Sequence, residues 1–283
     1  MAELSFTLLR MLPKNTFSRA LGAILRSPMP QAVHRAIIRR FAKAYGVDAA
    51  ESERDILSYP TFAEFFTRRL KPGLRPIAPG DGLPISPVDG TLGELGAIDN
   101  GTLLQAKGRG YTVAELLGGA GAQADAAQFE GGTFVTIYLA PYNYHRIHAA
   151  LGGVIEGYTY VPGKLWPVNA VGVRNVDKLF CVNERLTTWI RTPRGLHAMV
   201  AVGATNVGRI RALYDDVVTN ARRSRSELRK RYEKPIAIEK GSEVAVFEMG
   251  STVVLLFPKG VRLSPKLQAG QTMRLGMPLE AVI

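Results

Sequence analysis

Apolar residues in the segment 241–257, GSEVAVFEMGSTVVLLF, alternate at Val244 and Val246 and then run unbroken from Val253 to Phe257. Both patterns predict buried strands, with Gly250, Ser251 and Thr252 at the junction between them. Shorter apolar runs punctuated by glycine occur in ISPVDGTLGEL, GTFVTIYLAP, GVIEGYTYVPG, LFCVNERLTTWI and HAMVAVGATNVGRI, so at least six strands are expected from Val88 onward. The first 72 residues follow a different period. Phe17, Leu21, Ile24 and Leu25 recur at helical spacing, as do Val33, Ile37, Phe41 and Tyr45, and the breaker Ser27-Pro28-Met29-Pro30 separates the two sets. A third helical face carries Phe62, Phe65 and Phe66 and stops before Lys71-Pro72-Gly73, and Tyr111 to Leu117 reads as one more short helix. The fold class predicted is α+β: N-terminal amphipathic helices over residues 1–72, then a β-rich, mostly antiparallel core over 73–283.

Charge adds a partner to this picture. The 283-residue chain is 46% apolar and 21% charged, as a folded protein is, and carries a net charge of +12. That balance calls for an anionic partner, either nucleic acid or an acidic membrane surface. Residues 1–46 hold eight lysines and arginines against the single acid Glu3, so both helical patterns there are basic and amphipathic. They fit helices packed on a core and equally helices lying in a membrane interface with their arginines at headgroups. A second basic block, ARRSRSELRKRYEK at 221–234, reads as a solvated helical face or a mobile loop. No apolar run approaches the roughly 20 residues that span a bilayer, and no secretory signal is visible. The only cysteine, Cys181, rules out an internal disulfide and reads as a small buried residue.

Candidate chemistry centres on the strand junction. Gly250 lacks the Cβ that would shield its carbonyl carbon, and Ser251 carries a hydroxyl able to attack that carbonyl across a bent peptide. Gly-Ser-Thr is also an ordinary turn tripeptide. A serine needs a base, and His145 and His148, two of only four histidines, follow the strand FVTIYLA. Their spacing would suit two metal ligands on a helix, yet no cysteine or carboxylate cluster nearby completes a metal site. Asp89, between a proline-fixed segment and Gly90, is a candidate orienting carboxylate. Spacing alone does not select Asp89, His148 and Ser251 from the other aspartates and serines. A non-catalytic β-rich membrane or carrier module and a basic nucleic-acid-binding protein both stay open on the residues alone.

Taken in order, FAEFFTRRLKPGLRPI, SPVDG, LLQAKGRGYTV, GTFVTIYLAPYNYHRIH, YVPGKLWPVN, LFCVNER, VGATNVG and MGSTVVLLF resemble the phosphatidylserine decarboxylase family, in its bacterial type I-like form. The resemblance runs from about Thr61 to Phe257. It implies that Ser251 attacks Gly250, that the ester eliminates, and that the resulting dehydroalanine hydrolyses to a pyruvoyl group with loss of ammonia. The chain would then divide into a β chain, 1–250, and an α chain, 251–283, which stay together as a heterodimer. Asp89, His148 and Ser251 match the family's self-cleavage triad, and His145 matches a histidine implicated in decarboxylation. The implied reaction converts phosphatidylserine to phosphatidylethanolamine and carbon dioxide through a Schiff base on the pyruvoyl group, with no metal and no nucleic-acid partner. The implied location is peripheral, on the anionic cytoplasmic face of the cell membrane. Met249 stands where the family usually has leucine, a volume-conserving change.

Overall fold

The run from Val253 to Phe257 forms the centre of the molecule. In the computed structural model, which describes residues 14–105, 109–205, 209–221, 226–248 and 252–280, strand β12 (Thr252–Phe257) is buried along its whole length. Eight strands form one sheet in the order β10-β6-β7-β8-β12-β4-β1-β13. They are β1 (Gly90–Ala97), β4 (Thr133–Tyr138), β6 (Gly153–Val161), β7 (Arg185–Thr192), β8 (Gly195–Val202), β10 (Leu228–Ile238), β12 and β13 (Thr272–Met273). Every pairing in it is antiparallel. Val253, Leu255 and Phe257 enter one core, with Val135, Ile137, Leu186 and Met199; Val254 and Leu256 enter the other, with Phe134, Trp189 and Val200. A strand covered on both faces has no solvent side, so its sequence is continuously apolar.

A smaller sheet, β5 (Arg146–His148), β11 (Glu243–Phe247) and β9 (Ile210–Ala212), lies against the first core, and β2 (Thr102–Gln105) pairs with β3 (Arg109–Thr112). Gly90 is required where β1 meets β4, because a Cβ there would lie 2.4 Å from the Tyr138 carbonyl oxygen. On β8 the imidazole of His197 is fully buried, stacks on Phe257 at 4.6 Å between ring centroids, and donates from Nδ1 to the Leu256 carbonyl.

Helices α1 (Lys14–Arg26), α2 (Gln31–Tyr45) and α3 (Phe62–Phe66) form the N-terminal region, as the periodicity predicts. Ile38, Phe62, Phe65 and Phe66 make a third core against which Leu25 and Phe41 pack. The buried stripe of α2 is rotated from the one expected: His34 and Ile38 face inward, while Val33 and Ile37 stay exposed. A hydropathy pattern counts His34 as polar and so sets the stripe one position off. Two further differences appear. The segment LFCV, expected as strand, is the short helix α7 (Leu179–Val182), because a four-residue apolar run fits either element and here buries Leu179 and Phe180 helically. The basic block, expected as a helical face or loop, becomes the exposed edge strand β10 from Leu228 onward; its charges suit an edge that must not pair with another chain. Residues 222–225 of that block lie outside the described residues. Helices α4 (Val113–Leu117), α5 (Gln123–Ala127) and α6 (Ala170–Asn175) complete the set, and α4 opens on a capping box between Thr112 and Glu115.

Arg75, in the segment that links the helices to the sheet, joins three parts of the chain. Its guanidinium donates to both oxygens of Asp89, at 2.6 Å from Nη2, and to both oxygens of Glu51, at 2.6 Å in the shorter contact. Asp89 also accepts from the Leu275 amide at 2.9 Å. The Asp89 bond, ahead of the burial that opposes it, raises the pKa of Arg75.

Two stability measurements test this account. In the uncut Ser251→Ala background, Arg75→Met leaves Asp89 buried without its counter-charge and should cost about 3–5 kcal/mol in urea denaturation; a loss below about 1 kcal/mol would mean that the ion pairs are energetically neutral. His197 is held neutral in the fold, with burial lowering its pKa from 6.5 to about 4. Its contribution is present above pH 6.5 and is lost as pH falls toward 4, up to about 3 kcal/mol. His197→Gln, which can still donate to Leu256, should therefore flatten the fall of the denaturation midpoint between those pH values; an unchanged slope would show that His197 does not titrate in the fold.

Candidate active site

The strand TFVTIYLA delivers the chain to a tight turn at Ala140-Pro141-Tyr142-Asn143, closed by the Asn143 amide donating to the Ala140 carbonyl and the Ala140 amide to Asn143 Oδ1. Beyond the turn, His145 leads into β5 and His148 ends it. An offset of three in extended chain turns the two side chains to opposite sides. The pair therefore cannot act as the two helical metal ligands that the spacing allows, and among the described residues no cluster of three histidine, cysteine or acidic side chains could hold a metal ion.

His148 is buried, and its backbone amide donates to the Pro87 carbonyl, two residues before Asp89. Its Nδ1 lies 2.7 Å from the Gly241 carbonyl and so carries the proton. That leaves Nε2 as an acceptor, 3.0 Å from the Tyr144 hydroxyl. Burial lowers the pKa of His148, opposed by the Gly241 bond and by the charges of Glu243 and Asp89. The orienting acceptor at Nδ1 is thus a backbone carbonyl, and Asp89, occupied by Arg75 and Leu275, acts on the ring through its charge. Burial likewise pushes the Tyr144 hydroxyl up, so it stays protonated and donates.

His145 is fully buried, with its ring 4.0 Å from that of Phe66. Nδ1 lies 2.8 Å from the Asn143 carbonyl and donates to it, which leaves the lone pair on Nε2, an atom without a hydrogen-bond partner. Burial first, and the nearby charge of Arg68 second, lower its pKa to about 3.

Met249, Gly250 and Ser251 lie outside the described residues, but the chain on either side of them is placed. On the incoming side, the Phe247 amide at the end of β11 donates to the His145 carbonyl at 3.0 Å. Glu248 follows and pairs with Arg26 of α1 at 3.0 Å and, more loosely, with Arg209 and Arg211. On the outgoing side, Thr252 starts β12 between Tyr138 and Val202, its hydroxyl buried and unpartnered. His145 thus lies beside the end of β11, through the Phe247 amide, whereas His148 stands opposite Glu243 at its start and meets the Pro87 carbonyl, two residues before Asp89.

Sequence reasoning passed over Arg75 and Tyr144, the direct partners of Asp89 and His148. Tyr144 sits inside YNYHRIH and could have been weighed as a hydroxyl four residues before His148; nothing local marks Arg75. Cys181 is half-buried and packs against the second core, and burial pushes its thiol up to about 12, so it is not a nucleophile.

Residues 62–281 match the family model described as phosphatidylserine decarboxylase. A phosphatidylserine decarboxylase proenzyme of Anaeromyxobacter sp. (strain K) is 52% identical over 98% of each chain, and one of Myxococcus xanthus (strain DK1622) is 52% identical over 95% of each. A third, from Brevibacillus brevis (strain 47 / JCM 6285 / NBRC 100599), is 44% identical over 96% of this chain and 95% of its own. With likeness of that extent, the chain belongs to the phosphatidylserine decarboxylase family and is a decarboxylase.

Proposed function

We propose that this protein cuts itself between Gly250 and Ser251, carries a pyruvoyl group made from Ser251, and uses it to convert phosphatidylserine to phosphatidylethanolamine. The observation that carries this reading is the state of the two imidazoles at either end of β5, the strand paired with β11: both are buried and hold their Nδ1 proton on a carbonyl, so that each presents Nε2 as a lone pair. A serine hydroxyl needs such an acceptor, and His148 supplies it once the Tyr144 hydroxyl gives way. The charge of Asp89 favours the imidazolium that forms.

Two buried atoms near the junction suit a carbonyl-bearing group there: the Thr252 hydroxyl can donate to an oxygen, and His145 Nε2 can accept from an amine. A pyruvoyl group supplies a carbonyl that takes up the substrate amine and receives the electrons left when carbon dioxide departs. Because His145 carries no proton on Nε2 at rest, it can take the one shed by the substrate ammonium and return it to carbon after carbon dioxide leaves.

The reading extends to the membrane. Among the described residues no helix is long and apolar enough to cross a bilayer. Ile24 and Val33 are 56% and 51% exposed on basic helices, beside Ile37. We place residues 1–72 as the membrane-associating part, lying peripherally on the anionic cytoplasmic face, and 73–283 as the catalytic part, whose two chains remain paired through β12.

Two measurements test this. Intact-mass spectrometry of the purified protein should give two fragments divided at Gly250, the smaller one lighter by one ammonia than a peptide beginning with serine, and Ser251→Ala should stay whole; one uncut species from both proteins would overturn the self-cleavage. Glutamate at Ile24, Val33 and Ile37 together should weaken sedimentation with phosphatidylserine-containing liposomes at least about tenfold while fragments form as before. Unchanged sedimentation would place the contact surface elsewhere.

A further inference from the structure

Among the described residues the guanidiniums of Arg68, Arg75 and Arg185 are buried or nearly so, and the fold answers the charge of the last two. Arg75 has its two carboxylates, and Arg185 donates to the carbonyls of Leu116, Cys181, Asn183 and Glu115. Arg68, only 4% exposed, is left with a single long bond from Nη2 to the Tyr142 carbonyl at 3.3 Å. Its Nε and Nη1 are buried without acceptors, and the guanidinium lies 5.4 Å from the Phe65 ring centroid. Glu51 and Asp89 are near enough to act on it through charge, but Arg75 already binds both. A buried cation with two idle donors is costly unless an anion completes it.

Its position identifies the anion. Arg68 follows α3, whose Phe66 packs on His145, and its charge is among the causes that keep His145 neutral. Idle guanidinium donors and the idle Nε2 of His145 therefore occur in one buried neighbourhood, the first suited to an oxyanion and the second to an amine hydrogen. The headgroup of phosphatidylserine offers two oxyanions beside its amine, a carboxylate and a phosphodiester. The carboxylate loses its charge as carbon dioxide forms, so a cation gripping it would stabilise the starting state and oppose the reaction. A cation on the phosphodiester, whose charge persists, holds the substrate without that cost.

We propose that Arg68 binds the phosphodiester of the phospholipid headgroup and thereby sets the amine against His145. This rests on the decarboxylase reading, and the test separates the two. Arg68→Met should still cut itself at Gly250 and should lose between about 10- and 150-fold in kcat/KM on micellar phosphatidylserine, mostly through KM. Binding is read independently on the uncut Ser251→Ala chain, by the shift of its melting temperature with two amine-free probes. Glycerophosphoglycerol, a phosphodiester without a carboxylate, should stabilise it, and the added Arg68→Met should abolish that effect; 3-hydroxypropionate, a carboxylate without phosphate, should act alike on both proteins. Loss of the 3-hydroxypropionate effect alone would assign Arg68 to the carboxylate and overturn the proposal. So would an unchanged KM, or no stabilisation by the phosphodiester in the Arg68-bearing chain. If Arg68→Met fails to cut itself, Arg68→Lys keeps the charge with fewer, differently placed donors. It should raise KM several-fold, and an unchanged KM there is equally fatal. A wild-type protein that does not decarboxylate the lipid would instead sink the parent reading.

Discussion

Arg75 holds two carboxylates at once, and the architecture around the site depends on that double pairing. Glu51 belongs to the helical N-terminal region, Asp89 to the turn that launches β1, and Leu275, bound to the same Asp89, to the last segment of the chain. Removing Arg75 strands the charge of Asp89 in a place where water hardly reaches it. The site is thus built between regions far apart in sequence, and its electrostatics are set before any substrate arrives.

The same low-polarity setting governs the histidines. Burial disfavours a charged imidazole, and at both His145 and His148 a backbone carbonyl fixes which nitrogen keeps the proton. The basic composition then adds selectivity. Arg68 holds His145 further toward neutrality, whereas Asp89 and Glu243 pull His148 the other way. Two chemically identical side chains three residues apart, both held toward the neutral form by burial, are thus faced by different charges.

Much of the fold was legible in the sequence because its signals are local. Short apolar runs bounded by glycine became β4, β6, β8, β11 and β12, and the phenylalanine face at 62–66 became α3. The failures were local too: the LFCV run is too short for periodicity to decide, and the inward turn of His34 shifted the stripe of α2. The histidines stood out by residue type, whereas Asp89 did not, and only the ordered motifs tied all three to a family. Their partners did not stand out. With 36 lysines and arginines against 24 acids, nothing in the sequence tells which arginine meets Asp89. Tertiary pairing alone fixes Arg75 on Asp89 and leaves Nε and Nη1 of Arg68 without acceptors.

The central place of β12 has a consequence for the life of the molecule. The cut proposed at Gly250 would free the strand that sits between β8 and β4 from the chain that folded around it, so the sheet would be assembled while continuous and afterwards held by contact alone. Folding of the precursor is unimolecular, but recovery of the cut protein after unfolding would require two separate chains to meet, one of them a short apolar piece prone to join its own kind. Such a cut would turn a reversible fold into one whose persistence is a matter of rate, so that each molecule would assemble once and work until it first came apart.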